Sequence, residues 1–196
     1  ISALNQLNNA SYPLHNDITV RIKPDIIIPE AWKDRLVMQR SSYGSSIKKA
    51  VWNGEWLEAK FGDLGTFRAF VDETAPQINE LGRGDTINLS STGRIVFTPT
   101  DNSGIKKFRA ELDSQWLRFT NDKSRNWIYK FDERCPYGLH ELKVTVEDIV
   151  GNTTTKTWWF KRYPYTPPPK KKVMRKSSSS KKKTTATKKS GTKKKK

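Results

Sequence analysis

Two histidines, one cysteine and two acidic turns are the residues from which this chain could build a reactive site. His15 and His140 are the only imidazoles in 196 residues. A zinc hydrolase needs two or three nitrogen or carboxylate ligands at fixed spacing around an open coordination position. Histidines this far apart spell neither HxH nor HExxH. No serine sits in a GxSxG elbow, and neither GxxxxGK[ST] nor GxGxxG follows a strand-like run. His15 and His140 are therefore expected at loops or strand edges. Cys135 has no second cysteine to pair with, so it forms no internal disulfide and no thiolate metal site. It reads as a half-buried structural thiol in a loop between strands. No catalytic residue is assigned.

Carboxylates are the remaining source of chemistry. Asp101-Asn102 and Glu147-Asp148 fall at the ends of strand-like runs. Hard cations take clustered oxygen ligands, so Asp101 and Asp148 are calcium candidates at one end of a sandwich. The alternative is that both cap their own turns, as Asx-turn residues do. No EF-hand spacing is present. Trp52, Trp56, Trp116, Trp127, Trp158 and Trp159 could stack on sugar rings or fill a core. Adjacent Trp158 and Trp159 must point to opposite faces if they lie in one strand.

The formal charge of +17 suggests a polyanion binder until it is divided along the chain. Residues 163–196 hold 14 Lys or Arg and no acid, which leaves 23 basic against 20 acidic residues over 1–162. The body is nearly neutral and the basicity belongs to the tail. Lys170, Lys171, Lys172, Arg175, Lys176, Lys181, Lys182, Lys183, Lys188 and Lys189 are its candidate polyanion-binding residues. Polycations bind phosphate or carboxylate polymers by counterion release. Anionic envelope polymers, lipopolysaccharide and non-specific nucleic acid are accordingly the expected partners. A tail of lysine with one arginine has no scaffold for reading bases. The Pro-rich run from Tyr163 to Pro169 favours an extended conformation, and the Lys/Ser/Thr segment after it is expected to be disordered.

The elements that would position any site are strands. Ile18, Val20 and Ile22 alternate with Thr19, Arg21 and Lys23, and Leu142, Val144 and Val146 alternate with Lys143, Thr145 and Glu147. This is the period of a half-buried strand. Asn53-Gly54 predicts a hairpin turn between Ala50–Trp52 and Trp56–Phe61. Pro29 to Leu36 allows a helical turn or two. Ile87–Leu89, Arg94–Thr98, Lys107–Leu112, Gln115–Thr120, Trp127–Phe131, Glu141–Glu147 and Thr154–Phe160 give seven short strands, the pattern of an immunoglobulin-like sandwich. The polar Asp72-Glu73-Thr74-Ala75-Pro76 stretch marks a junction. The expected fold is all-β: two consecutive β-sandwich domains, 1–72 and an immunoglobulin-like 73–162, then the tail, 163–196. No apolar run approaches the roughly 18 residues that span a bilayer. A sequence starting at Ile1 is expected to be a processed product or a piece of a longer protein.

An ordered set of short motifs adds a resemblance. Tyr12-Pro13-Leu14-His15, Ile22-Lys23-Pro24, Trp52-Asn53-Gly54 and Phe61-Gly62-Asp63-Leu64-Gly65-Thr66-Phe67 lead into Val71-Asp72-Glu73-Thr74-Ala75-Pro76. Asp101-Asn102-Ser103-Gly104-Ile105, Phe108-Arg109-Ala110-Glu111-Leu112-Asp113, Gln115-Trp116 and Gly138-Leu139-His140-Glu141-Leu142 follow. Val146-Glu147-Asp148-Ile149-Val150-Gly151-Asn152-Thr153 closes the series. Over residues 10–162 this resembles the C-terminal region of Bacteroidetes-type envelope proteins related to lysostaphin-type zinc endopeptidases, peptidase family M twenty-three. That family places a peptidoglycan-cutting zinc domain ahead of β-sandwich modules. Its zinc ligands, His-x3-Asp and His-x-His, have no counterpart here, so zinc is expected only in an upstream domain of the parent and no cofactor in this chain. The resemblance implies an accessory, non-catalytic region of a cell-wall-directed protein in the cell envelope, periplasmic or outer-membrane-associated. A nucleic-acid-associated protein acting through its lysine tail is the alternative.

Overall fold

Alternation of apolar and polar side chains dictates most of what the chain does. In most strands one face carries Leu, Val, Ile or Phe and the other carries Lys, Thr or Glu, so such a strand buries one side. The computed structural model describes residues 1–8, 11–123 and 125–167. The described residues are all-β apart from a six-residue 3-10 helix, Glu30–Arg35, within the turn or two predicted there.

The first sandwich is built from β1 (Asn5–Leu7), β2 (Pro13–Ile22), β3 (Leu36–Ser41), β4 (Ser45–Lys49), β5 (Val51–Asn53), β6 (Trp56–Asp63) and β7 (Gly65–Val71). One sheet has the order β1-β7-β3-β4 and the other β2-β6-β5. Leu57, Ala59 and Phe61 of β6 face Phe67 and Ala69 of β7, with Val20, Ile22, Leu36 and Met38 closing the core. The Phe61 and Phe67 rings meet edge to face at 5.1 Å. The hairpin expected at Asn53-Gly54 is displaced by one residue. Asn53 stays in the ladder opposite Trp56, leaving Gly54 and Glu55 as the loop. Gly54 takes φ 62° at the first loop position, where a side chain is disfavoured.

The second sandwich comprises β8 (Thr86–Asn88), β9 (Arg94–Phe97), β10 (Ile105–Leu112), β11 (Gln115–Leu117), β12 (Thr120–Asn121), β13 (Trp127–Lys130), β14 (Gly138–Asp148) and β15 (Thr153–Arg162). A five-stranded sheet, β11-β10-β14-β15-β8, packs over a three-stranded one, β12-β13-β9. All pairings but one are antiparallel. The exception is β8, which runs parallel to β15, while Gln77 ahead of it bridges to Thr100 beyond β9. The module is a two-sheet β-sandwich. Phe97, Leu142, Val144, Val146 and Phe160 are completely buried in its core. The expected strand Gln115–Thr120 is split into β11 and β12, because the chain leaves one sheet for the other there.

The two cores lie on either side of the Asp72–Pro76 segment. That segment has no ladder of its own, and side chains of β15 and the turn before it supply its partners. Thr154 Oγ1 donates to the Pro76 carbonyl at 2.6 Å and Lys156 Nζ to the Ile78 carbonyl at 3.0 Å. Gln77 and Thr100 exchange backbone bonds of 2.8 and 3.0 Å. Pro76 fits here because this position supplies an acceptor and is asked for no N–H.

A buried carboxylate cluster as candidate functional site

Two tight turns and the end of one strand bring three aspartates together. Asp72 follows β7, and its backbone N–H donates to the Arg35 carbonyl at 2.8 Å. Its Oδ1 accepts the Thr74 N–H at 3.1 Å. Asp101 precedes the turn into β10. Its Oδ2 accepts the N–H groups of Ser103 and Gly104 at 2.7 and 2.9 Å, and the Ser103 hydroxyl at 2.9 Å. Gly104 takes φ 112°, which closes this turn.

Asp148 ends β14. Strand alternation places it on the inward row behind His140, Leu142, Val144 and Val146. Its Oδ1 accepts three backbone N–H groups, from Val150, Gly151 and Asn152, at 2.7 to 2.9 Å. Gly151, at φ 102°, lets the chain curl round the carboxylate.

One ligand-capable oxygen from each aspartate lies within 4.8 Å of those of the other two. Asp72 and Asp148 are fully buried, and Asp101 is partly exposed. Each side chain therefore commits one oxygen to its own turn. The other oxygens are differently placed. Asp72 Oδ2 and Asp101 Oδ1 are buried without any hydrogen-bond partner among the described residues. Among the described residues, Asp148 Oδ2 accepts only the Asn152 amide, at 2.7 Å.

The sequence paired Asp101 with Asp148 as candidates, and the structure brings them together. Asp72 was not among them. Its only sequence signal was the polar stretch that marks the junction, which says nothing about where its carboxylate goes.

The other expected residues take different places. His15 lies exposed on β2, an edge strand. His140 corrects the loop-or-edge expectation, since it lies within β14, between β10 and β15, and is 5% exposed. Its Nδ1 is 2.7 Å from Asp113 Oδ2 and its Nε2 is 3.0 Å from the Pro136 carbonyl. Two acceptors thus hold the ring in place between turns, and neither nitrogen joins a ligand set.

Cys135 is fully rather than half buried, and burial pushes its thiol above the usual value. Arg162 crosses over it, donating to its carbonyl and stacking on the rings of Phe131 and Tyr137. Trp158 and Trp159 point to opposite faces, the first buried and the second about half exposed. Exposed Trp116 and Trp159 lie on β11 and β15 with two strands between them, so they form no continuous stacking platform. The basic residues from Lys170 to Lys189 lie outside the described residues.

The aspartate trio is the one group of three or more convergent His, Cys, Asp or Glu ligands among the described residues. It offers oxygen alone, with no imidazole or thiolate. Such a set does not suit structural or catalytic zinc and does suit a hard cation. Among the described residues, no helix is long and apolar enough to cross a membrane. A comparison with protein-family models finds none that matches the chain, and a comparison with curated proteins finds no match either.

Proposed function

We propose that this chain is a non-catalytic accessory region of an exported, cell-wall-directed protein, whose parent resembles the lysostaphin-type zinc endopeptidases. The two sandwiches set the spacing of a partner domain. The lysine-rich terminus holds the assembly at an anionic envelope surface, either wall polymer or lipopolysaccharide.

The observation that carries this reading is the junction. Asn152 and Thr154 of the second sandwich each donate to backbone carbonyls of the connecting segment, at Asp72 and Pro76. Bonds that fix a connector suit a spacer of set geometry more than a flexible tether. The charge separation adds to it, with 14 basic residues and no acid over 163–196 against a near-balanced remainder. The motif series quoted above supplies the wall-directed context.

The test compares the full chain with one ending at Pro169. Co-sedimentation with isolated sacculi and with lipopolysaccharide vesicles is measured across a salt series. Salt-sensitive retention of the full chain, lost on truncation, is expected. Equal retention of both forms refutes the anchoring role. Clearing of a peptidoglycan zymogram by this chain refutes the non-catalytic one. Exclusive binding to duplex DNA favours the nucleic-acid alternative, which the Ser177–Ser180 and Lys181–Lys183 composition otherwise supports.

A further inference from the structure

We propose that Asp72, Asp101 and Asp148 bind one calcium ion at the junction between the two sandwiches. The inference is independent of the envelope reading, since it rests on the carboxylates alone.

Burying a carboxylate is costly unless it is paired or coordinates a metal. Among the described residues, none of these three has an ion-pair partner, yet two are completely shielded from water. Capping explains only half of each group. A carboxylate offers two oxygens and about four lone-pair sites. Each turn takes up one oxygen, leaving Asp72 Oδ2 and Asp101 Oδ1 buried with no donor, and Asp148 Oδ2 with spare capacity. Three like charges confined within 4.8 Å repel one another in a medium that screens them poorly. A divalent cation removes both penalties together, because it neutralises the cluster and satisfies the unpaired oxygens.

The choice of calcium follows from hardness and size. The donors are all oxygen, which selects calcium or magnesium over softer metals. Calcium bonds of about 2.3–2.6 Å let one ion touch three oxygens spaced up to about 4.5 Å apart, close to the separation of this trio, and its geometry is tolerant. Magnesium demands bonds of about 2.0 Å in a near-ideal octahedron, a poor match for oxygens already fixed by their turns.

Asp101 is partly exposed and lines a cleft with Ile105 and Trp127. Lys123 and Arg125 share the cleft without forming an ion pair with the trio. The ion would join the connector, through Asp72, to the two turns at the end of the second sandwich. Its occupancy would therefore stabilise the junction itself.

The experiment uses the full chain, stripped with chelator, and titrates terbium while tryptophan is excited. Saturable emission at one ion per chain is expected, displaced by calcium and only weakly by magnesium. Direct calorimetry with calcium should give a dissociation constant of about 10⁻⁴ to 10⁻³ M, the weak end of calcium sites. Asp72→Asn and Asp101→Asn keep an acceptor for the turn and remove a charge, so each should weaken calcium at least tenfold. Without calcium these variants should melt no lower than the parent, because repulsion has been relieved. Calcium should raise the melting temperature of the parent alone. The proposal is overturned if the parent shows no saturable calcium binding up to about 10 mM. It is equally overturned if magnesium displaces terbium as well as calcium does, or if Asp72→Asn binds calcium as the parent does. Should one variant fold poorly, the other and the chelator-reversible melting shift of the parent decide the matter.

Discussion

The side-chain amide of Asn152 donates to the backbone carbonyl of Asp72 at 3.0 Å, tying the turn after β14 to the residue that leaves the first sandwich. The same amide donates to Asp148 Oδ2 at 2.7 Å. One side chain thus links the connector to the carboxylate that organises the turn. Replacing it with alanine leaves a buried carbonyl and a buried carboxylate oxygen short of a donor. Asn152→Ala should cost about 1–3 kcal/mol in urea unfolding. Asn152→Asp should cost more, because it exchanges the donor for a fourth carboxylate beside the trio. Equal stability of Asn152→Ala and the parent would show that the junction bonds contribute nothing.

A second expectation concerns pH. The Tyr129 hydroxyl donates to Asp132 Oδ1 at 2.6 Å. Burial, with the Asp132 bond adding to it, holds the Tyr129 phenol well above its usual value. The Tyr129 bond, with the Arg134 N–H helping, holds Asp132 below the usual carboxylate range. A lowered carboxylate contributes stability that is present above its unfolded value and is lost as pH falls through the folded one. A raised phenol contributes stability that is full below about pH 10 and is lost as pH rises through the folded value. Tyr129→Phe should therefore cost about 1 kcal/mol near neutrality. That deficit should shrink at both acid and alkaline extremes when melting is followed against pH. A deficit that stays constant across the range would assign the effect to packing.

The strands were legible because burial on one face writes a period of two into the sequence. His140, Leu142, Val144 and Val146 alternate with outward residues, and the strand continues inward to Asp148. The strands that escaped are those with little to bury. Asn5–Leu7 is exposed throughout, and Ser45–Lys49 is at most partly buried, so pairing with a neighbour defines them and pattern does not. His140 was misplaced for a related reason. A polar residue reads as exposed unless its partners are known, and Asp113 and the Pro136 carbonyl meet it only after β10 and β14 pair. The aspartate trio divides along the same line. Asp101 and Asp148 announce themselves as turn residues, whereas Asp72 joins them through topology alone.

Cys135 offers a reporter of opening. It has no exposed surface, its thiol is pushed upward by burial, and Arg162 lies across its backbone. The thiolate is the reactive form, so both burial and the raised thiol suppress reaction. Labelling by a disulfide reagent at neutral pH should be negligible in buffer and complete in denaturing urea. Arg162→Ala should speed the native reaction by loosening the loop. Rapid labelling of the parent in buffer would place the thiol at the surface and contradict the packing described.

The neighbouring tryptophans separate core from surface within one strand. Trp158 lies against Phe97, with ring centroids 5.1 Å apart, and its indole N–H donates to Glu80 Oε2 at 2.9 Å. Glu80 is held below the usual carboxylate range by Lys156 first and by Trp158 second. Trp159 stands opposite Glu141 on the outer face of the five-stranded sheet, with about half its surface in water. Truncating a buried tryptophan opens a cavity and costs about 3–5 kcal/mol, whereas surface changes usually stay within about 0.5 kcal/mol. Trp158→Ala should fall in the first class and Trp159→Ala in the second, as read from urea midpoints at an unchanged slope. Trp158→Phe retains the stack on Phe97 but frees Glu80 of one donor, so it should lie between them. A reversal of the two alanine effects would mean that β15 sits one residue out of register, which would turn Phe160 outward as well.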